Sequence, residues 1–265
     1  MDKLEALKKE LTAPAENRKL CIAFSGGVDS ALLVKLSCDA GLDVYAVTFD
    51  SILQPIGNGA QAAVQARSYG AKHEILWTDL LADPQIRQNT WERCYYCKYA
   101  LFSALWDYAK AQGIRRVVDG TNGDDLQEYR PGLRALKELS VESPLAKLGM
   151  TKAMVRAMAV EIGLDAASRP SSPCLATRFP YGTSLTEEAL QRCGNGEKAL
   201  HEIGFPVVRL RVHGNLARVE VPKTQLSKAI QEAEKIIGIL QQFGYQYITL
   251  DLEGYRSGCF DKENL

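Results

Sequence analysis

Six consecutive residues near the N-terminus, at positions 25–30, have the composition of an anion-binding turn. They read SGGVDS and lie between an apolar run and an apolar helical pattern. Gly26 and Gly27 permit positive φ angles and a close approach of the backbone to a ligand. A helix that begins at Asp29 and Ser30 would offer exposed N–H groups and a favourable dipole to phosphate. The Walker A lysine and the GxGxxG spacing are both absent from this stretch, so the pattern leaves a plain strand-to-helix turn open.

A second polar stretch, DGTNGDD at positions 119–125, also follows an apolar run. Glycine, asparagine and aspartate all favour turns, so a solvated turn is the plain interpretation. Two adjacent carboxylates at a strand end beside a phosphate loop favour a magnesium site instead. We therefore predict Asp125 as a Mg²⁺ ligand, with Asp124 as a further candidate, and Asp29 as a residue that orients Mg²⁺ or the phosphates.

Three of the seven cysteines lie where a chemical role is expected. Cys94 and Cys97 form a CxxC at the start of a predicted helix, where residues three apart face the same way. Cys174 lies in a loop rich in serine and proline. A CxxC is typical of a redox pair, half a zinc site or part of an iron–sulfur site, and its spacing does not choose between them. Two other cysteines are predicted core thiols and two have no assigned role: Cys21 and Cys38, then Cys193 and Cys259.

A parallel sheet is the predicted scaffold for these stretches. Between residues 19 and 120, short apolar runs alternate with amphipathic segments at 30–40, 60–69 and 96–112. The runs read LCIAFS, DVYAVTF, KHEILW and RRVVDG. Such alternation predicts an α/β fold with a parallel sheet and helices on both faces. Ligands of these sheets bind at the carboxyl ends of the strands, where both polar stretches fall.

The chain is predicted to form two domains. A helix at 151–164, capped by Thr151, is followed by a proline- and serine-rich loop. After residue 186 the pattern is helix, two strands joined by a His-Gly-Asn turn, helix and strand, with a Gly-Asn-Gly break in the first helix. We expect a phosphate-binding α/β domain at 1–180 and a small α+β domain at 181–265.

Composition narrows the class of protein. The chain has 265 residues, of which 46% are hydrophobic and 24% charged, as in an ordinary globular protein. Its 32 basic and 32 acidic residues cancel, which disfavours a nucleic acid partner. Apolar runs stay short of membrane-spanning length and the N-terminus is a charged amphipathic segment, so we expect a cytoplasmic protein with no membrane partner.

These motifs together resemble one family. SGGVDS is similar to the pyrophosphate loop of the PP-loop ATP pyrophosphatases, which adenylate carbonyl oxygens and release pyrophosphate. With DGTNGDD, EYRPGLRAL, RFPYGTSLT, RLRVHGNLARVEVP and YITLDLEGYRSG, the chain resembles the LarE family over nearly its whole length. Members of that family are sulfur transferases that mature the nickel-pincer nucleotide cofactor of lactate racemase. The resemblance implies ATP bound at 25–30, Mg²⁺, homo-oligomers, and a pyridinium mononucleotide whose two carboxylates become thiocarboxylates.

The resemblance also implies a substrate site. Arg209 and Arg211 match the phosphate-binding positions of the family. Residues two apart on a strand share one face, from which two guanidiniums can clamp a phosphate. A solvated outer face is the plain interpretation of such alternating arginines. Arg178 and Arg256 are further candidates for binding carboxylate or phosphate. Two acidic residues on neighbouring strands are expected to hold these arginines: Glu220 and Asp251.

Cys174 aligns with the sulfur-donor cysteine of the family. In members with that cysteine alone, its thiolate attacks the adenylated carboxylate and its Cβ–S bond then breaks, leaving dehydroalanine. Cys94 and Cys97 depart from that pattern and, with Cys174, resemble the three ligands of a 4Fe–4S cluster in other members. There an additional sulfide attacks and the protein survives turnover. We predict the cluster type, supplied by sulfide or another sulfur donor, with Cys259 as a candidate fourth ligand.

Alternatives to this prediction remain. The first is the same reaction with Cys174 as a sacrificial donor. The second is a PP-loop enzyme that thiolates tRNA, which neutral charge and the lack of a recognisable RNA-binding extension disfavour. The third is a nucleotide-sensing module without turnover, which would not need both the SGGVDS loop and paired aspartates.

Overall fold

The computed structural model describes residues 3–13, 18–55, 57–127, 130–168, 173–256 and 260. The chain divides into two compact units. The first comprises residues 1–51, 57–79 and 92–172, and the second comprises 52–56, 80–91 and 173–265. The second unit therefore takes in two short segments from the N-terminal half of the chain.

The helices and strands have the following bounds in the described residues. The strands are β1 (Lys19–Ala23), β2 (Asp43–Asp50), β3 (Lys72–Trp77), β4 (Val117–Val118), β5 (Arg209–His213), β6 (Leu216–Glu220) and β7 (Tyr247–Leu250). The helices are α1 (Lys3–Thr12), α2 (Val28–Asp39), α3 (Asn58–Ser68), α4 (Pro84–Arg87), α5 (Arg93–Ala111), α6 (Gly132–Glu138), α7 (Pro144–Lys147), α8 (Lys152–Glu161), α9 (Glu187–Glu202), α10 (Leu226–Gln231) and α11 (Ala233–Gln242).

The first unit is built on a parallel sheet with the strand order β3-β2-β1-β4. Cys21 lies at the centre of this sheet, opposite Tyr45 of β2 and Val117 of β4. Helix α2 is apolar on most of its surface, and it packs with β1, α1 and α8 in one buried core. The predicted α/β class with a parallel sheet is confirmed.

The second unit contains a smaller sheet with the order β5-β6-β7. Strands β5 and β6 are antiparallel, as the predicted His-Gly-Asn turn requires, and β6 and β7 are parallel. Backbone bonds join the N-terminal segments to this unit: Leu175 N donates to Leu53 O at 2.8 Å, and Leu185 N donates to Arg87 O at 2.7 Å.

The helical prediction was wrong at two places in the second unit. Helix α9 runs through Gly194, Asn195 and Gly196 without a break. A Cβ at Gly196 would lie 2.7 Å from Leu210 Cδ1, so this glycine lets α9 pack closely on β5 rather than ending the helix. The single helix predicted between the two joined strands and the last strand is instead divided into α10 and α11.

The prediction for α8 was more accurate. Thr151 caps the helix, and its Oγ1 accepts a hydrogen bond from Met154 N at 3.3 Å. Among the described residues, no helix combines the length and the hydrophobicity that crossing a membrane requires.

Candidate active site

Residues 25–30 form a tight turn between β1 and α2. Ser25 Oγ accepts a bond from Gly27 N at 3.3 Å, and Ser30 Oγ donates to Gly27 O at 3.2 Å. Gly26 has a φ of 73°, which a side chain rarely adopts. Gly27 has a φ of −75°, so it does not use the positive angle that glycine permits. An added Cβ at Gly27 would instead lie 3.2 Å from Ser25 Oγ. The two hydroxyls hold the shape of the turn.

The order of the sheet puts this turn at a switch point. Strand β1 pairs with β2 on one side and with β4 on the other. The chain passes from β1 to β2 through α2 and reaches β4 only after α5. Parallel sheets bind ligands at the carboxyl ends of strands where the order reverses in this way.

The structure brings the two predicted loops together at that point. Gly120 follows β4 and packs against the start of α2. A Cβ at Gly120 would lie 3.1 Å from Asp29 Cβ and 3.2 Å from Ser30 N. The stretches at 25–30 and 119–125 therefore line one edge of the sheet.

Asp29 presents a carboxylate with unmet bonding capacity. Its Oδ2 contacts Lys152 Nζ. Its Oδ1 is buried and has no hydrogen-bond partner among the residues that the structure describes. A buried carboxylate oxygen without a partner is unfavourable, so a cation beside it would be stabilising. Asp29 is therefore suited to Mg²⁺.

Lys152 connects the two loops, and sequence reasoning did not find it. While its Nζ contacts Asp29, its backbone N donates to Asp124 Oδ2 at 2.8 Å. The N-terminus of a helix disfavours a positive charge, so the lysine directly after the Thr151 cap was a detectable signal. Its Nζ therefore lies beside the turn at 25–30, where it is a candidate for the part that the Walker lysine plays in other loops.

Asp125 is engaged mainly by its own loop. Its Oδ2 accepts a bond from Asn122 N at 2.9 Å, and its Oδ1 lies 2.9 Å from Arg130 Nη1. Within the described ranges, no group of three or more His, Cys, Asp or Glu side chains is arranged to hold a metal ion. Mg²⁺ usually takes only one or two protein carboxylates and completes its shell with phosphates and water. Asp29, with or without Asp125, meets that requirement.

Helix α5 is fixed to the same edge of the sheet. Asp119, at the end of β4, accepts bonds from Ser143 Oγ at 2.6 Å and from Thr121 Oγ1 at 2.5 Å. Lys98 Nζ lies 3.6 Å from Oδ2 of the same carboxylate. Because Lys98 directly follows Cys97, this ion pair brings the CxxC turn of α5 to the carboxyl edge of the sheet.

The cysteines with a predicted role are all partly exposed. Cys94 and Cys97 both lie in the first turns of α5, within the first unit. Arg93 Nη2 donates to Cys94 Sγ at 3.4 Å. Cys174 belongs to the second unit and directly precedes the 3₁₀ turn Leu175–Arg178. Two thiols one helical turn apart, next to a cation, are a donor set that suits a thiophilic metal.

The other described cysteines are core thiols. Burial raises the pKa of Cys21 to about 12. Burial, with the nearby Asp39 carboxylate, raises the pKa of Cys38 to about 11. Cys193 is fully buried, and burial raises its pKa well above the ordinary value. These thiols stay protonated at neutral pH and are poor nucleophiles or ligands. Cys259 lies outside the described residues.

Three arginines of the second unit, Arg178, Arg209 and Arg211, are buried rather than on a solvated face. Arg211 is 4% exposed, and its Nε donates to Glu220 Oε2 at 2.9 Å. Arg256 Nη2 lies 3.3 Å from Asp251 Oδ2. The expected support of Arg211 by Glu220 and of Arg256 by Asp251 is therefore present. Arg218, which the sequence analysis did not single out, contacts both acids, at 3.3 and 3.4 Å.

Arg209 lies in an environment short of negative charge. It is 5% exposed, and its guanidinium lies 5.3 Å from the centre of the Tyr255 ring. Burial lowers the pKa of Arg209, and the neighbouring Arg178 lowers it further. Nη1 of Arg209 donates to Val208 O at 2.7 Å, and Glu197 offsets part of the lowering.

Arg178 is fully engaged by the protein. It is 1% exposed, and its Nε and Nη2 donate to the two carboxylate oxygens of Glu197 at 2.8 and 2.9 Å. Its Nη1 donates to the carbonyl oxygens of Pro173 and Cys174 at 3.1 and 3.2 Å. These bonds hold the turn that carries Cys174; the prediction that Arg178 binds substrate stays untested.

A parallel sheet with a serine- and glycine-rich phosphate turn after β1, an acidic loop after β4 and a cation between them defines an enzyme of the PP-loop ATP pyrophosphatase class. No protein-family model matches the chain. The pyridinium-3,5-bisthiocarboxylic acid mononucleotide synthase of Lactiplantibacillus plantarum is 37% identical to it, over 97% of this chain and 95% of that protein. The chain belongs to the LarE family of ATP-dependent sulfur transferases, which confirms the family resemblance.

Other relatives agree with this assignment. An uncharacterized protein of Synechocystis sp. is 42% identical over 98% of this chain and 97% of its own length. The tRNA-specific 2-thiouridylase of Rickettsia bellii is 29% identical over 70% of this chain and 61% of its own length. The thiouridylase match supports the PP-loop superfamily, and the mononucleotide synthase match supports the family.

Proposed function

We propose that this enzyme adenylates the two carboxylates of pyridinium-3,5-biscarboxylic acid mononucleotide and converts each to a thiocarboxylate, for the nickel-pincer cofactor of lactate racemase. The observation that carries this proposal is the 37% identity to the mononucleotide synthase over nearly the whole of both chains. In keeping with the family, we propose that it acts as a homo-oligomer in the cytoplasm.

The first unit would carry out the adenylation. The amides and hydroxyls of the turn at 25–30 would bind the phosphates of ATP, with Lys152 pairing the leaving pyrophosphate. Asp29, and Asp125 with it, would hold Mg²⁺, which neutralises the phosphates when it is bound. A substrate carboxylate oxygen attacks the α-phosphorus of ATP, pyrophosphate leaves, and an acyl-adenylate remains.

The second unit would bind the substrate. Arg209 and Arg211 would hold the mononucleotide phosphate, since both are buried and arginine is suited to bidentate phosphate contacts. Arg256 would contact a carboxylate or the phosphate. Glu220 would keep the Arg211 guanidinium in place before the substrate arrives, and Asp251 would do the same for Arg256, so little ordering of these two side chains is left to occur on binding.

The sulfur would be delivered at Cys174, either from a cluster that this residue helps to hold or from its own thiol. We propose that Cys94, Cys97 and Cys174 hold a 4Fe–4S cluster, which would supply a replaceable sulfide when it is bound. The support is the CxxC turn beside Arg93 and the family resemblance. In the sacrificial alternative, the Cys174 thiolate attacks the acyl-adenylate and AMP leaves. Loss of the Cα proton then forms the Cα=Cβ bond of dehydroalanine, and the sulfur departs with the acyl group as a thiocarboxylate.

Anaerobically purified protein can be used to test both adenylation and sulfur transfer. With ATP, Mg²⁺ and the biscarboxylic mononucleotide, we expect pyrophosphate release and a thiocarboxylate product by mass spectrometry. Absence of substrate-dependent pyrophosphate would overturn the proposed reaction. Binding of total tRNA that saturates at low micromolar concentration in moderate salt would favour the thiouridylase-like activity instead.

The same protein distinguishes the sulfur sources. The cluster predicts iron and sulfide in the isolated protein, iron loss on any single Cys→Ala change at the three positions, and an intact Cys174 after several turnovers with added sulfide. Dehydroalanine at Cys174, in protein that contains no iron, would restore the sacrificial mechanism.

A further inference from the structure

A buried ion pair closes the turn that carries Cys174. The two oxygens of Glu197 take Nε and Nη2 of Arg178 in a bidentate pair, in which the side chains are 7% and 1% exposed. The remaining nitrogen of Arg178 reaches both ends of the turn, since it donates to Pro173 O, Cys174 O and, at 2.8 Å, Thr177 Oγ1. One guanidinium thus fixes the backbone on either side of the sulfur-bearing residue.

The same pair is bonded to the strand that carries the phosphate-binding arginines. Glu197 Oε1 also accepts a hydrogen bond from the backbone N of Leu210 at 2.9 Å. Leu210 lies between Arg209 and Arg211 on β5. Arg211 makes a second connection, because its Nη1 donates to Thr177 O at 2.7 Å. Two independent links therefore join the turn to β5, and both lie within the second unit.

Packing alone does not explain why an ion pair is buried at this position. Burying two charges is costly, and apolar side chains of similar volume often stabilise a fold equally well. The pair also supplies five directed N–H bonds to acceptors on the turn and on α9, which apolar groups cannot provide.

We propose that Arg178 and Glu197 are positioning residues for the sulfur step, which hold Cys174 at a fixed place relative to Arg209 and Arg211. A substrate held by its phosphate then presents its activated carboxyl to the sulfur in a constant geometry. This inference rests on the proposed function and concerns only the step after adenylation. Misplacement of a reacting group by about 1 Å can slow a step about a hundredfold.

The measurement is the amount of thiocarboxylate formed per pyrophosphate released in a single turnover with ATP, Mg²⁺ and the biscarboxylic mononucleotide. Glu197→Gln keeps the shape of the side chain but removes its charge. The double variant Arg178→Met/Glu197→Met removes the pair without leaving a lone buried charge, so its folding is protected. Glu142→Gln is the control, because Glu142 forms a matched bidentate pair with Arg116 that anchors the carbonyls of Leu11 and Ala13 instead.

We expect the ratio to fall about ten- to a hundredfold in both Glu197→Gln and the double variant, and to stay at the wild-type value in Glu142→Gln. A double variant that regains both thermal stability and the wild-type ratio would overturn the inference, since packing alone would then suffice.

A second readout does not depend on the proposed reaction. Iodoacetamide should alkylate Cys174 several-fold faster in both variants, while the alkylation rate of Cys94 stays constant. An unchanged rate at Cys174 would show that the pair does not hold the turn. A wild-type protein that releases no pyrophosphate would refute the proposed function and would leave this alkylation result to decide the structural claim.

Discussion

Each of the two units is proposed to bind an anionic group, the first through a backbone turn and the second through arginine side chains. In the first unit the candidate ATP site is a turn of six residues whose hydroxyls bond to its own backbone, with Asp29 and Lys152 in contact beside it. In the second unit the candidate phosphate site is made of two buried arginines, Arg209 and Arg211, of which Arg211 pairs with Glu220. A backbone turn holds its ligand without permanent charge, whereas buried guanidiniums are charged whether or not the ligand is present.

That contrast suits the proposed order of events. Pyrophosphate has to leave after each adenylation, so a site of amides and a metal ion is an advantage in the first unit. The mononucleotide has to stay through a sulfur step, and preorganised arginines favour its retention. Variants that affect one unit and spare the other test this difference.

The largest effect is expected in the first unit. Asp29→Ala should slow pyrophosphate release about 10²- to 10³-fold, because the phosphates and their metal ion lose a fixed carboxylate. Asp39→Ala is the control, since Asp39 ends the same helix in a surface pair with Lys35. Pyrophosphate is measured with the mononucleotide present. A normal rate in Asp29→Ala would contradict the role of this residue.

Thiol reactivity should distinguish the cysteines with a raised pKa from the three partly exposed cysteines that have a proposed role. A pKa raised to about 12 at Cys21, or to about 11 at Cys38, keeps the thiol protonated until the pH approaches that value. At pH 8 both should therefore react at least about a hundredfold more slowly than an ordinary thiol of pKa about 8.5, and their rates should rise with pH up to these values. Mass spectrometry after timed alkylation of metal-free protein should show three sites modified first: Cys94, Cys97 and Cys174. Early modification of Cys21 would refute the distinction.

Loss of one arginine should affect the second unit alone. Arg209→Ala should weaken mononucleotide binding about ten- to a hundredfold, because a charge-assisted contact contributes about 1.5–3 kcal/mol. ATP affinity should hardly change. Arg192→Ala is the control in the same unit, where Arg192 donates to Gly214 O at 3.1 Å. Calorimetric titration with each ligand measures both affinities, and equal loss of the two would indicate a shared site or misfolding.

A smaller effect is expected from the lysine between the loops. Lys152→Ala should raise the KM for ATP about tenfold, the equivalent of one modest charged contact, and leave the mononucleotide affinity unchanged. Lys147→Ala is the matched control, because Lys147 pairs with Glu10 at the surface and such pairs contribute little. If both lysine variants had the same KM, Lys152 would have no part in ATP binding.

Stability should show the smallest change, and it tests the packing of the second unit. Gly196→Ala places a Cβ 2.7 Å from Leu210 Cδ1 and should lower the free energy of unfolding by about 1–3 kcal/mol. Gly238→Ala in α11 meets nothing within 4 Å and should raise it by about 0.5–1 kcal/mol. Urea unfolding measures both, and stabilisation by Gly196→Ala would mean that α9 and β5 are not packed so closely.

Contiguous patterns were enough to predict much of the first unit. The turn at 25–30 is a local motif, and the strand predicted from KHEILW has the observed bounds of β3. Residue periodicity identified the strands and helices, because it records which face each element buries. Their alternation along the chain then predicted the parallel sheet. The motifs also predicted the family, since each is a short run that can be recognised without its neighbours.

Contacts between distant residues were beyond such patterns. Lys152 and Asp29 are separated by 123 positions, and Arg211 and Thr177 by 34. The sequence identified Arg178 as a candidate substrate ligand, but only the fold shows that Glu197 and the carbonyls around Cys174 occupy its guanidinium. Likewise, Gly196 was interpreted as a helix break, whereas it lies under Leu210 of β5. Sequence patterns report interactions within about one helical turn or along one strand, whereas charge pairing and close packing depend on which elements the folded chain brings together.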